Sequence, residues 1–163
     1  MIKAIMNKAA MNKTASEQAD LVSLRAKALG YLEDGCTCAL VSEEKTLQSK
    51  RRGVQPLLGW LQSGEAEKGM IAADKVVGKA AAFLYVLIGV AEVHAKVLSA
   101  SAEAVLQRFA IPYFYEERVA AIKNRTNTGF CPMENAVWEI DEPQAAYAAI
   151  QEKWKQLNGG ENS

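Results

Sequence analysis

The chain has 163 residues, half of them hydrophobic and 23% charged, with 19 Lys and Arg against 19 Asp and Glu. That apolar content excludes a disordered tail protein, and the neutral balance removes the electrostatic footprint of a general nucleic-acid binder. Three cysteines are too few for a secreted disulfide framework, and a chain of this size buries enough surface for a core without staples.

Residues 1–15 read as a flexible arm, because Lys3, Lys8 and Lys13 interrupt any continuous apolar region and no signal peptide emerges. A single α/β domain is expected over 16–157, and Gly159 and Gly160 mark 158–163 as a disordered tail. Within the domain, Ser16 stands before Leu21, Leu24, Ala28, Leu29 and Leu32, a helical spacing that stops at Asp34-Gly35. Cys36–Val41 and Lys45–Ser49 form a predicted β-hairpin, and Val54–Leu61 a helix with Pro56 in its first turn. Met70 to Gly89 reads as the centre of the chain, with a helix opening at Asp74. Its longest apolar run, Ala80 to Val90, is 11 residues, well short of the ~18 that span a bilayer, so it predicts a buried core helix of a cytoplasmic protein. A strand over Val90–Leu98, a helix from Ser99–Glu103 to Phe109, an aromatic strand at Pro112–Tyr115 and a loop over Asn124–Phe130 follow. Pro132–Ile140 and Pro143–Leu157 each begin with proline at a first helical position. Helices alternating with short strands predict an α/β layer architecture.

Two segments carry candidate chemistry. In Ala72–Ala82, Asp74 reads as a helix N-cap, with Lys75 and Lys79 stacked four apart behind it. A helix N-terminus with two lysines suits a phosphate or carboxylate, and Gly78 permits close approach. The competing reading is a cap followed by two solvated lysines. In the second segment, Cys131 precedes Pro132 and so sits at a predicted N-cap, with Glu134 at the third helical position. A helix dipole favours thiolate, and Arg125 would act in the same sense, which makes Cys131 the best nucleophile candidate. The alternative is a small cysteine that merely fills a cap. Zinc is not expected: Cys36-x-Cys38 lacks metal-ligand spacing, and His94-Ala95-Lys96 has Lys where a deaminase needs its proton-shuttling Glu. His94 reads as a packed or surface histidine rather than a ligand or base.

On these residues the chain resembles a prokaryotic family of proteins of unknown function with a cytidine-deaminase-like fold. The likeness runs from about Gly35 to Tyr147. It is carried by Arg52-Gly53-Val54 with Pro56-Leu57-Leu58, by Ala73-Asp74-Lys75-Val76-Val77-Gly78-Lys79-Ala80, and by Asn124-Arg125, Gly129 and Cys131-Pro132-Met133-Glu134. The resemblance implies a three-layer α/β/α sandwich around a mixed sheet. It puts the Asp74 helix start where active deaminases carry His/Cys-Ala-Glu, and the Ser99–Ala102 start where they carry Pro-Cys-x-x-Cys. The zinc motifs are absent, so the fold does not bring deamination with it.

Together these readings give a metal-free and cofactor-free site for a small anionic or nucleotide-like molecule. Cys131, Asp74 and Lys75 are its candidate catalytic residues, and Lys79, Gly78, Asn124, Arg125, Gly129 and Glu134 its ligand-binding ones. The alternative is a non-catalytic domain for protein contact, and a homo-oligomer stays open. A nucleic-acid reading would use Lys50-Arg51-Arg52 with Tyr113, Phe114 and Tyr115, and charge neutrality counts against it.

Overall fold

The computed structural model describes residues 3–5, 14–124, 129 and 131–158, with residues 3–5 as backbone only. In chain order the elements are β1 (Lys3–Ile5), α1 (Ala15–Glu33), β2 (Cys38–Val41), β3 (Thr46–Ser49), α2 (Gln55–Ser63), β4 (Ile71–Val77) and α3 (Lys79–Ile88). They continue with β5 (Glu92–Ser99), α4 (Ala100–Arg108), β6 (Tyr113–Val119), α5 (Pro132–Val137) and α6 (Pro143–Leu157). The strands form one mixed sheet in the order β1-β6-β5-β4-β2-β3. β4, β5 and β6 run parallel, joined through α3 and α4, and the hairpin β2–β3 adds antiparallel to β4. The N-terminal stretch expected to be an arm contributes β1, antiparallel to β6.

Local chemistry sets most of these elements. α1 starts two residues earlier than the Ser16 cap reading: Thr14 accepts from Glu17 N and Glu17 accepts from Thr14 N, a reciprocal capping box. Ser99 caps α4 by accepting from Ala102 N. Proline occupies the first turn of α2, α5 and α6, where its missing N–H costs no helical bond. α5 stops at Val137, short of the expected Ile140.

The main departure from the sequence reading lies at Met70–Gly89. No helix opens at Asp74. Residues Ile71–Val77 are the strand β4, with β2 on one side and β5 on the other. Its first half, Ile71–Ala73, is paired at both edges and covered on both faces, so it is apolar and shows no period of two. Ile71 and Ala73 pack with Ala28 and Leu32 of α1 and with Ala39 and Val41. Ala72 and Val77 pack in the larger core formed with α2 to α6. Helices therefore lie on both faces of the sheet, and the site develops on the face opposite α1.

On the α1 face, His94 is a packed residue. Its ring stacks on Phe114 with centroids 4.4 Å apart, and its Nε2 bonds to Glu92. Arg25 of α1 grips the same carboxylate with two bonds, Nε at 2.5 Å and Nη2 at 2.9 Å. Tyr113 and Phe114 are buried, which removes them as a stacking platform for bases.

Candidate functional site

α3 opens at Gly78–Lys79, past the Asp74 start where the sequence reading placed an anion site, and its N-terminus holds an anionic group of the chain itself. It is the carboxylate of Glu134, which accepts from Lys79 N at 2.7 Å and from Ala80 N at 3.0 Å. These are two of the free amides that begin every helix, and Glu134 is fully placed in the positive end of the dipole. Gly78 is the N-cap, in extended conformation. A Cβ there would lie 2.5 Å from Cδ of Glu134, so only glycine lets the carboxylate come this close. Burial pushes the Glu134 carboxyl above its ordinary value, and the two amides and Lys79 pull it back.

Asp74 lies in the middle of β4, opposite Cys38 and Ala95 on the neighbouring strands. Its side chain is 8% exposed. Tyr85 of α3 donates its hydroxyl to Oδ2 at 2.6 Å, and Val76 N–H donates to Oδ1 at 3.2 Å. Burial raises the Asp74 carboxyl from 3.8 to about 7, against the opposing pull of Tyr85 and the amides of Val76 and Lys75. The carboxyl is thus poised between donor and acceptor at neutral pH, the state a general acid or base requires. Burial also pushes the Tyr85 hydroxyl and the Cys38 thiol up, both with the charge of Asp74 acting in the same sense.

Asp74 opens onto a cleft of about 800 Å³ between the end of β4 and the starts of α2, α3 and α5. Cys131, Glu134, Lys75, Gly78 and Asn124 line it with Asp74, so six of the nine sequence-predicted residues meet in one place. Val54, Ala81, Ile122, Met133 and Trp154 supply its apolar wall. Cys131 is the N-cap of α5 as predicted, half-buried, with no capping bond from its side chain. Its amide donates to Ile122 O at 3.1 Å and so ties α5 to the strand side of the cleft.

Two predictions require correction. Lys75 and Lys79 do not stack on one helix face, because Lys75 is in β4 and Lys79 opens α3. Lys79 also turns away from the cleft: its Nζ donates to Trp138 O at 2.8 Å and lies 5.8 Å above the Phe83 ring. Gly129 is exposed and off the cleft wall, and it closes the loop by accepting from Asn124 N at 2.8 Å. Arg125 lies outside the described residues.

The family described as a domain of unknown function, DUF1893, matches residues 26–154. The chain belongs to the DUF1893 family. Among solved structures it is similar to a DUF1893 family protein (TM1506) from Thermotoga maritima, with TM-score 0.73 and 24% identity, covering 80% of this chain and 88% of that one. At that identity the likeness speaks to the fold. No curated protein matches.

Two residues at or beneath this cleft were not among the site residues the sequence reading proposed. Tyr85 passed as one more member of an apolar run. Its signal was the hydroxyl, since a tyrosine in a fully buried helix needs a polar partner inside. Arg52 lines the cleft and stands within the family-like stretch Arg52-Gly53-Val54. Gly53 behind it has φ 69°, the left-handed conformation that turns the chain from β3 into α2.

Proposed function

We propose that this DUF1893 protein binds a small anionic or nucleotide-like molecule in the cleft above Asp74, on a three-layer scaffold of cytidine-deaminase type and without zinc. One observation carries this reading: a buried carboxyl held near neutrality, bonded to a buried tyrosine, faces a cleft that also presents a cysteine thiol. Perturbed carboxyls in concave, largely apolar clefts are the usual mark of a binding or reacting site.

The mixed sheet, the helices on both faces, and the opening of α3 and α4 behind parallel strands support the deaminase-type scaffold. The residues do not fit its zinc. With β4 extending to Val77, the first ligand position falls at Gly78-Lys79-Ala80, and the second at Ser99-Ala100-Ser101-Ala102. Neither offers an imidazole or a thiol, and the Ser99 hydroxyl is engaged with Ala102 N and Ser101.

In the proposed site Asp74 exchanges a proton or hydrogen bond with the ligand, and Tyr85 fixes its orientation. Lys75 adds positive charge at the wall, and Cys131 is the nucleophile available there. Asn124 lines the far side, with Gly129 holding its loop. Glu134 and Gly78 act by locking α5 to α3. The three free cysteines suit a reducing, cytoplasmic compartment.

Amide chemical-shift mapping with phenyl phosphate, benzoate and adenosine 5′-monophosphate tests the reading. Shifts concentrated at Val54, Val76, Gly78, Ala81 and Met133 are expected. Absence of shifts at millimolar probe, or shifts confined to the α1 face, overturns it.

A further inference from the structure

Resting on the cleft reading above, we infer that the ligand is a phosphate monoester with a planar apolar body. Its phosphate is held by Arg51 and Arg52 rather than at the α3 N-terminus.

The starting point is a displaced charge. The α3 N-terminus is already neutralised by Glu134, and the Lys79 ammonium is spent on Trp138 O and the Phe83 face. A second groove of about 600 Å³ joins the first and shares Arg52, Trp154 and Leu157 with it. Arg51, Gln55 and Asn158 complete its lining. Both arginines are exposed, and among the described residues neither has a carboxylate within ion-pair distance. The ion pairs use Arg25, Lys45, His94, Lys96, Arg108 and Arg118 instead.

Two adjacent guanidinium groups offer ten N–H donors in planar forks, which match the several oxygens of a phosphate dianion better than a single carboxylate. The start of α2 reinforces them. Its N-cap is Val54, which provides no side-chain cap, and no acidic residue stands in its first turn.

The apolar body follows from what lies between the arginines and Asp74. Val76 and Leu157 are 45% and 53% exposed, two of the few large hydrophobic side chains left open, and both line this cleft. Trp154, half-buried beside Leu157, presents a flat surface in the stretch common to both grooves. A ligand spanning this path meets the two guanidinium groups at the α2 end, then Val76, Trp154 and Leu157, and reaches Asp74 with Lys75 beside it.

Calorimetric titration with phenyl phosphate, inorganic phosphate and benzyl alcohol tests the assignment on wild type and on Arg51→Gln/Arg52→Gln. Both arginines are on the surface, so the double variant is expected to keep the wild-type melting temperature. Wild type should bind phenyl phosphate at least tenfold more tightly than inorganic phosphate. The double variant should lose at least tenfold for phenyl phosphate and keep its affinity for benzyl alcohol. Equal binding of phenyl phosphate by both proteins would overturn the arginine assignment while leaving the cleft as a binding site. Equal binding of phenyl and inorganic phosphate would overturn the apolar body. Binding of none of the three probes to wild type would remove the cleft reading together with this one.

Discussion

Replacing Asp74 by Asn should stabilise the protein at pH 8, and by an amount the structure sets. Burial lifts the Asp74 carboxyl from 3.8 to about 7. The folded protein therefore holds this proton more tightly than the unfolded chain does. Stability from this group is complete below pH 4, declines as the pH rises from 4 towards 7, and levels off above that. With about 1.4 kcal/mol per pH unit across a gap of about three, the loss approaches 4 kcal/mol. Asn copies the neutral form at every pH: its Oδ1 can accept from Val76 N–H, and its Nδ2 can donate to Tyr85, whose hydroxyl reverses its role.

Urea unfolding followed by tryptophan fluorescence, for both proteins at pH 5 and pH 8, measures the difference. All other titrating groups cancel in the comparison. The variant should gain about 2 to 4 kcal/mol over wild type at pH 8 and less than half of that at pH 5. A variant less stable than wild type at pH 8, or a gain equal at both pH values, would refute the reasoning. A gain would also mean that wild type carries a stability cost at neutral pH for an ionisable carboxyl. Stability conceded at one polar position is the common signature of a working site.

Three further outcomes follow from other parts of the molecule. Glu92→Gln leaves Arg25 and the buried His94 without their shared carboxylate and should cost about 3 kcal/mol at pH 7 by urea unfolding. Although burial pushes Glu92 up, hydrogen bonds from His94 and Arg25 hold it below the usual glutamate range. Its contribution is therefore present above about pH 4.3 and lost as the pH falls further, so the wild-type advantage over the variant should vanish in acid. Gly78→Ala forces the Glu134 carboxylate off two buried amides and should destabilise by about 1–3 kcal/mol. The cost should shrink in a Glu134→Ala background, which a double-mutant cycle reads directly. Cys131 lines the cleft while Cys36 and Cys38 are each 3% exposed. Peptide-resolved iodoacetamide labelling at pH 7.5 should therefore reach Cys131 at least tenfold faster than either strand cysteine, and equal rates would remove it from the accessible wall.

The chain announces its helix starts where the signal is local. Ser99, Pro56, Pro132 and Pro143 act within one turn of themselves, and α4, α2, α5 and α6 begin beside them. The hairpin β2–β3 is legible for the same reason, since its strands are separated by four residues and paired from Val41 with Thr46. β4 is different. Its alanines suit a helix, and its apolar pattern is filled on both faces by α1 on one side and α3 on the other, so neither period stands out. Asp74, Lys75 and Glu134 were legible as a group, because charges in an apolar setting stand out in any secondary structure. What each one touches was not. Glu134 meets Lys79 across 55 positions of sequence, and the Asp74–Tyr85 bond depends on a strand and a helix packing together.

The sequence reading expected a ligand anion at a helix opening at Asp74; α3 opens at Lys79 instead, and its N-terminus takes the Glu134 carboxylate. With Glu134 seated there, the carboxyls of Asp74 and Glu134 and the cations Lys75, Lys123 and Arg52 line the cleft, and Arg51 joins Arg52 in the adjoining groove. On the proposed reading, the paired guanidinium groups of Arg51 and Arg52 give the cleft a direction. A charge placed about 4 Å from a like charge near a protein surface pays roughly 4 kcal/mol at an effective dielectric of 20, and gains as much beside an opposite one. In the binding mode proposed above, a molecule with one anionic end enters with that end towards α2 and its uncharged end towards Asp74. Protonation of Asp74 near pH 7 then sets whether the floor offers a hydrogen-bond donor or an acceptor, and so which uncharged end is held.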